Sequence, residues 1–341
     1  MKIQQSELLQ AINKVIPSVT NKSSPILNNI KIEVKNNILN LEATDMDTWA
    51  KSKLSVQSDD FSITVPALEF QKIISKLKDE VEINFEDSFV IKSKRSVYKL
   101  PTIPSSEFPS FNQDFKFIEI NANINDILNK VKFAISSDDT RYYLTGVCLN
   151  LKGGNLNAVA TDCHKLGLSK VGCDGGDFNI IIPKKSVNDI LKINGAKKIF
   201  ICQSLIKIFS DDFEYTSKLI NGEFPNYELV IPKNNDVELK LNKDIFVDCI
   251  DRLTTVTTDK HNSIKLVFEK NKLLMTANGG YEEMDIDFNS EKIEIGFNAR
   301  YLLSVIQNIA SQAINLKLKN GNSPALIEEG DNKFVIMPVR V

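Results

Sequence analysis

The sequence lacks any long apolar run. No stretch of its 341 residues approaches the roughly 18 apolar residues of a membrane-spanning helix, and the opening MKIQQSELLQ has no apolar core of an export signal. With 42% hydrophobic and 25% charged residues, the chain has ample material for a core and the composition of a soluble globular protein. We therefore expect a cytoplasmic protein with no membrane partner.

Cysteine and histidine are too sparse to indicate a disulfide framework or a metal site. The five cysteines are odd in number and show no CxxC spacing, which favours a reducing compartment. Cys163 and His164 are adjacent in LNAVATDCHKLG, but we interpret this segment as a strand end, where neighbouring side chains point to opposite faces. His261, the only other histidine, supplies no second base. The sequence thus predicts no catalysis, no metal and no cofactor.

One pattern occurs three times along the chain. LNLEATD, LNAVATD and LLMTANG begin at residues 39, 156 and 273, at equal intervals of 117, and each alternates apolar and polar residues as a half-buried strand does. A second alternating strand follows in each copy, is broken at Pro66, Pro183 or Asn298, and leads into a helix with one apolar stripe. Another amphipathic helix opens each copy, and EFPSF at 107 and EFPNY at 223 close the first two.

The repeat predicts an α+β fold of three tandem copies of one domain, each with two helices packed on antiparallel sheets. Polar, turn-rich segments near 117 and 235 suggest domains 1–117, 118–235 and 236–341. If the sheets of neighbouring copies continue edge to edge, strand edges that invite aggregation are hidden. The predicted helices cover residues 6–16, 67–78, 125–135, 184–194, 244–256 and 299–309.

Several motifs resemble those of a known family, the β subunit of bacterial DNA polymerase III, or sliding clamp. They are RYYLTG at 141, ATDCHKL at 160, LINGEFPNY at 219, GFNARYLL at 296 and the C-terminal PALIEE and VIMPVRV, with SPILNNI at 24 and EFP at 107 in the first copy. They cover the full length in the family's order. The resemblance implies that two three-domain chains close head to tail into a homodimeric ring around duplex DNA.

The resemblance also implies a non-catalytic processivity factor that tethers the polymerase III alpha subunit, the clamp loader and other clamp-motif proteins. Their peptides would dock in a hydrophobic groove between the second and third domains. Matched residue by residue, the groove comprises Leu144, Thr161, His164, Leu166, Pro225, Val230, Asn298, Tyr301, Pro324, Val335, Ile336, Met337, Pro338, Val339 and Arg340. Cys163, Lys165 and Leu229 depart from the family, which commonly has Gly, Arg and, in some members, Arg at these positions.

Contacts with DNA are expected to be independent of base sequence. The net charge is −2, yet the six predicted helices hold eleven Lys or Arg and seven Asp or Glu, which leaves +4 inside them and −6 outside. Cations of this kind bind phosphates, which carry no sequence information. The resemblance implies DNA contacts at Lys22, Tyr142, Tyr143 and Lys185, and a dimer interface that joins Phe108 of one chain to Thr255 and Val256 of another.

Two other function classes are weighed against the ring. An enzyme would need a convergent cluster of titratable groups, and the sequence shows none. A peptide-binding scaffold of the same fold that never encircles DNA is distinguished by mass, because a scaffold could remain a monomer of 38.3 kDa whereas a ring of three-domain chains needs two.

Overall fold

The repeated sequence pattern folds into a repeated order of elements. A computed structural model describes residues 1–20, 24–85, 88–111, 116–193, 195, 198–257 and 262–340. Within them, each copy consists of a strand, a helix, four strands, a second helix and three strands. The predicted α+β class with three tandem copies is confirmed.

The three copies have the following bounds. The first copy contains β1 (Lys2–Gln4), α1 (Gln5–Val15), β2 (Asn29–Lys35), β3 (Ile38–Thr44), β4 (Thr48–Ser55), β5 (Phe61–Pro66), α2 (Ala67–Lys76), β6 (Glu80–Phe85), β7 (Phe89–Ser93), β8 (Ser96–Leu100) and an added short strand β9 (Ile103–Pro104). The second contains β10 (Ile118–Ile120), α3 (Ile124–Val131), β11 (Gly146–Lys152), β12 (Asn155–Thr161), β13 (Lys165–Gly172), β14 (Phe178–Pro183), α4 (Lys184–Ile190), β15 (Lys198–Ile201), β16 (Leu205–Phe209) and β17 (Phe213–Lys218). The third contains β18 (Val237–Asn242), α5 (Lys243–Thr254), β19 (Ser263–Glu269), β20 (Lys272–Ala277), β21 (Gly280–Asp285), β22 (Ile293–Asn298), α6 (Ala299–Ile306), β23 (Ala313–Leu318), β24 (Ala325–Glu329) and β25 (Asn332–Ile336).

All six predicted helices are present, and each ends one to four residues before its predicted C-terminal bound. Helix α3 ends at Val131 and continues as one 3₁₀ turn, and α4 ends at Ile190. Pro66 is the last residue of β5 and the N-cap of α2, because its fixed backbone angle suits the turn from strand to helix. No helix of the described residues is long and apolar enough to cross a membrane.

The chain forms two compact units that do not follow the borders of the copies. Unit 1 consists of Met1–Asn121 and Asn188–Leu219, and unit 2 of Ala122–Val187 and Ile220–Val341. The second copy is therefore divided between the units. The domain borders at 117 and 235 stay predictions.

Sheet pairing between neighbouring copies explains this division. In unit 1, β4 of the first copy pairs antiparallel with β17 of the second, within a sheet of order β10-β15-β16-β17-β4-β3-β2-β5-β9. In unit 2, β13 of the second copy pairs in the same way with β25 of the third, within the order β14-β11-β12-β13-β25-β24-β23-β18. The remaining sheets are β1-β6-β7-β8 in unit 1 and β21-β20-β19-β22 in unit 2. The expected edge-to-edge continuation of sheets is confirmed.

Candidate functional site

Cys163 and His164 lie in a tight turn between β12 and β13. The Asp162 Oδ1 accepts hydrogen bonds from the backbone N–H groups of His164 and Lys165, both at 2.9 Å. The Thr161 Oγ1 accepts from the Cys163 N–H at 3.1 Å. The interpretation of this pair as part of a strand end is wrong, because the side chains of Thr161 and Asp162 bind the backbone amides and close a turn after Thr161.

The first copy contains the same turn at 44–48. The Asp45 carboxylate accepts hydrogen bonds from the backbone N–H groups of Asp47 and Thr48 at 3.1 and 2.7 Å. The Thr44 hydroxyl accepts one from the Met46 N–H at 2.9 Å. Met46 and Cys163 both have φ of 72°, in the left-handed region that costs an L-residue about 1–2 kcal/mol. The segment that contains Cys163 is thus a repeated structural device, and its strain explains why Gly suits this position.

Cys163 and His164 each contact a residue from another part of unit 2, and these contacts support the fold. The Cys163 Sγ accepts from Arg141 Nη1 at 3.0 Å, and the His164 ring stacks on Tyr301 with ring centroids 5.4 Å apart. Burial raises the pKa of the Cys148 thiol to about 12, so it stays protonated at neutral pH. In the part of the chain that the structure describes, no three His, Cys, Asp or Glu side chains are placed to hold a metal ion.

An apolar cluster in unit 2 joins three of the predicted groove residues. Leu144, Leu166 and Val335 are 1%, 3% and 2% exposed and pack in one cluster, and the pairing of β13 with β25 sets Leu166 directly opposite Val335. We call this the groove cluster; its other buried members are Cys148, Val159, Leu168, Ile181, Phe224 and Leu326, with Tyr143, Ile220, Tyr227 and Ile231 at its partly buried edge.

The C-terminal tail is held beside this cluster by two backbone hydrogen bonds. The Met337 N–H donates to the His164 carbonyl at 2.8 Å, and the Val339 N–H donates to the Gly296 carbonyl at 2.9 Å. The first bond fixes the tail to the turn after β12 and the second fixes it to β22. Met337, Pro338 and Val339 are half-buried, and Arg340 is exposed.

Polar residues order the side of the groove at α6. The Asn298 Oδ1 accepts from the Tyr301 N–H at 3.1 Å and thereby caps α6. Lys165 is 8% exposed, forms an ion pair with Asp162, and sets its Nζ 4.5 Å from the centre of the Tyr301 ring. Tyr301 is therefore fixed by a helix cap, by His164 and by a cation, and the Lys165 contact was not predicted.

The remaining predicted groove residues lie at different depths. Pro225 is exposed and Val230 is 46% exposed, on the chain segment that follows the buried Phe224. The Pro324 carbonyl accepts from Asn235 Nδ2 at 2.9 Å. Ile336 is fully buried in the core of the third copy, because successive side chains of β25 point to opposite faces, so it lies outside the groove cluster.

Sequence reasoning missed several members of the groove cluster. Phe224 and Tyr227 belong to EFPNY, whose recurrence in the first copy could have marked them. Cys148, Val159 and Leu326 lie on strands whose alternation predicts one buried face but not the other strands that meet there.

The predicted DNA contacts stay predictions. Tyr142 is 53% exposed and its ring meets that of Tyr143 edge to face at 5.7 Å. A Cβ on Gly222 would lie 3.2 Å from both tyrosines, so this glycine permits their close packing on the loop. Lys185 is exposed in the first turn of α4, and Lys22 lies outside the described residues.

The predicted interface residues also stay predictions, and the structure separates them by exposure. Thr255 and Val256 are exposed after the end of α5, where Val256 packs so closely on Gly280 of β21 that an added Cβ would come within 2.8 Å. Phe108 is only 9% exposed in the single chain. Its ring therefore has little surface left to give to a second chain.

Comparison with known proteins places these features in one class, that of three-domain clamp proteins. The family models of the DNA polymerase III beta subunit match residues 1–112 for the N-terminal domain, 120–226 for the central domain and 228–340 for the C-terminal domain. The chain belongs to the DNA polymerase III beta subunit family, the bacterial sliding clamps. The resemblance seen in the sequence is thereby confirmed.

Similar proteins match over the whole chain. The beta sliding clamp of Caulobacter vibrioides is 33% identical over 373 aligned positions, with 100% of both chains covered. The crystal structure of the DNA polymerase III subunit beta from Pseudomonas aeruginosa is 28% identical with a TM-score of 0.94, again over 100% of both chains. The Bartonella birtlesii clamp, solved bound to griselimycin, is 30% identical with a TM-score of 0.94 and covers 100% of this chain and 99% of its own.

Proposed function

We propose that two copies of this chain close head to tail into a ring around duplex DNA and serve as the non-catalytic processivity factor of a replicative polymerase. Partner proteins, among them the polymerase alpha subunit and the clamp loader, are held by peptides in the groove of unit 2. The five free cysteines accord with a cytoplasmic location. The observation that carries the ring is the way sheets join between neighbouring copies.

Each junction uses the same two strands of the repeat. The strand that follows the first hairpin of one copy pairs with the last strand of the next copy, as β4 with β17 and β13 with β25. The third copy's equivalent of β4 is β21, and the first copy's equivalent of β17 is β8. Both are sheet-edge strands whose outer edge has no strand partner in the described part of the chain. Joining β21 to β8 of a second chain repeats the junction and removes both edges.

The repeat also defines the register of the proposed contact. Lys51, Leu168 and Tyr281 occupy equivalent positions in the three copies, because their partners on the neighbouring strand are residues 42, 159 and 276, which are spaced 117 apart. Val97, Glu214 and Lys333 also occupy equivalent positions. Each lies in the last hairpin of its copy, next to the residue pair that closes the hairpin. Since Lys51 faces Glu214 and Leu168 faces Lys333, we expect Tyr281 of one chain to face Val97 of the other.

Exposure and charge support this register. Val97 and Tyr281 are each 58% exposed and Tyr98 is 39% exposed, all large apolar groups on edge strands. The register sets Tyr98 opposite Gly280, beside the predicted interface residue Val256. It also sets Arg95 opposite Glu283, and opposite charges across an interface favour the correct pairing.

Sedimentation tests the ring directly. At micromolar concentration the protein should sediment with twice the single-chain mass of 38.3 kDa, because the free edges of β8 and β21 then pair between two chains. A species of single-chain mass at all accessible concentrations would contradict the ring and favour the scaffold that does not encircle DNA.

Peptide binding by the groove should depend on the C-terminal tail. Deleting residues 337–341 removes both backbone bonds to His164 and Gly296 and should weaken a peptide copied from the clamp motif of the alpha subunit at least tenfold, about 1.4 kcal/mol. Calorimetric titration measures the change. Leu144→Ala should weaken the same peptide from the opposite wall, whereas Ile38→Ala, at an exposed apolar site in unit 1, should not. Unchanged affinity in a truncated, still dimeric protein removes the tail from the groove.

A further inference from the structure

Unit 1 contains a cavity of about 350 Å³ beside the junction of β4 and β17. Its walls include Trp49, Phe108 and Phe111. Trp49 faces Thr44 in the β3–β4 hairpin as Leu166 faces Thr161 in the β12–β13 hairpin, 117 residues later. Phe108 and Phe111 of EFPSF correspond to Phe224 and Tyr227 of EFPNY. The cavity therefore occupies, at the first junction, the place that the groove cluster has at the second.

The two equivalent places differ in polarity. Four positions that are Cys148, Val159, Leu168 and Leu326 in the groove cluster are Lys31, Glu42, Lys51 and Lys207 in the cavity wall. Glu214 also lines the cavity, so three lysines face two glutamates and the wall carries a net charge of +1. A peptide suited to the apolar groove does not suit this cavity, because an apolar ligand would remove these half-buried charges from water without offering them partners of opposite sign.

Two of the three lysines of the cavity wall pair with glutamates, whereas Lys207 and Glu214 make no ion pair within the described residues. The Lys51 Nζ lies 2.7 Å from Glu42, and Lys31 lies 3.2 Å from Glu33 and 3.9 Å from Glu42. Within the described residues Lys207 makes no ion pair. Its Nζ lies 5.3 Å from the centre of the Phe111 ring and 4.9 Å from that of Phe117. It is the cation that an incoming carboxylate would meet.

The cavity wall also contains an aromatic pair. The centroids of the Trp49 and Phe111 rings lie 4.6 Å apart, with the ring planes tilted by 48°. The indole Nε1 of Trp49 is buried and finds no acceptor among the described residues.

We propose that this cavity is a second peptide-binding site, and that it takes an acidic segment that carries an aromatic side chain. The aromatic ring packs against Trp49 and Phe111, and a neighbouring carboxylate pairs with Lys207. Basic and aromatic walls also suit single-stranded nucleic acid. The equivalent place in unit 2 is the apolar groove, however, so the observations favour a peptide.

Trp49 supplies the measurement, because it is the only tryptophan of the chain. The pentapeptide acetyl-Glu-Asp-Phe-Asp-Glu-amide, titrated into the intact dimer, should change the tryptophan emission saturably. The same peptide with lysine at its four acidic positions should not. Lys207→Glu should raise the half-saturation concentration at least tenfold, and Lys207→Gln should raise it less.

Matched variants separate this site from general electrostatics and from the groove. Lys198→Glu makes the same charge change on the adjacent strand β15, away from the cavity, and should leave the half-saturation concentration within twofold. Leu144→Ala should also leave it unchanged. No saturable change, equal response to the lysine peptide, or equal weakening by Lys198→Glu overturns the proposal. Saturation by oligothymidylate without a response to the acidic peptide overturns it in favour of nucleic acid.

Discussion

Protein loaded onto nicked circular DNA should remain bound and should leave when the circle is cut. A sequence-independent contact with DNA has a Kd of about 10⁻⁴–10⁻⁶ M at physiological salt, and association at about 10⁷ M⁻¹s⁻¹ then gives dissociation within about 100 ms. A closed ring leaves only when an interface opens. We therefore expect the dwell time on circles to exceed that on linear DNA at least about 1000-fold, since residence times of protein pairs reach hours or days.

The measurement is gel filtration of DNA-bound protein before and after linearisation. Linear DNA with a tightly bound protein at each end should retain the clamp as circles do, which separates sliding off an end from weak binding. Raising the salt should shorten the dwell on unblocked linear DNA and change retention on circles little, because topology is not screened. Equal survival on circles and on unblocked linear DNA contradicts encirclement and identifies a contact-based binder.

Replacing Val97 by Asp should dissociate the dimer. Val97 is 58% exposed in the single chain, and the proposed register sets it opposite Tyr281 and next to Glu282 and Glu283. Loss of a large interface contact costs about 2 kcal/mol or more. A ring of two chains contains this contact twice, so the dimer should lose about 4 kcal/mol, nearly three orders of magnitude in Kd. Sedimentation equilibrium across a dilution series measures the shift.

Compensating charges test the register itself. Tyr281→Asp alone should weaken the dimer as Val97→Asp does, whereas Val97→Lys combined with Tyr281→Asp should recover part of the loss, since opposite charges then face each other. As a control, exchanging Lys99 and Glu283, which the register does not bring together, should give no such recovery. If the double variant loses as much dimerisation free energy as the two single variants lose together, the proposed register is wrong.

Phe108→Ala distinguishes the sequence-based placement of the interface from the placement at β8. Phe108 is 9% exposed, so its truncation should lower the free energy of unfolding by about 3–5 kcal/mol, as for other large buried aromatic residues. We expect the dimer Kd to change much less than with Val97→Asp. A folded Phe108→Ala protein that dissociates as strongly as Val97→Asp would restore Phe108 to the interface.

The sequence by itself determined the repeat and the local structure of each copy. Intervals of 117 residues, the alternation in LNLEATD and LNAVATD, and the apolar stripes of the helices are short-range signals, and short-range hydrogen bonds form the corresponding strands and helices. The family motifs determined the protein class. They also marked Leu144, Leu166 and Val335, which the structure packs together.

The tertiary structure decided which edges and faces meet. Alternation predicts that a strand has a buried face, but it does not predict that β4 pairs with β17, that β13 pairs with β25, or that β8 and β21 remain at sheet edges. It also leaves open that Phe108 is buried and Val97 exposed, and that Lys31, Lys51 and Lys207 meet at one cavity. These features depend on contacts between residues far apart in sequence, which local propensity does not specify because each strand edge can pair with many others.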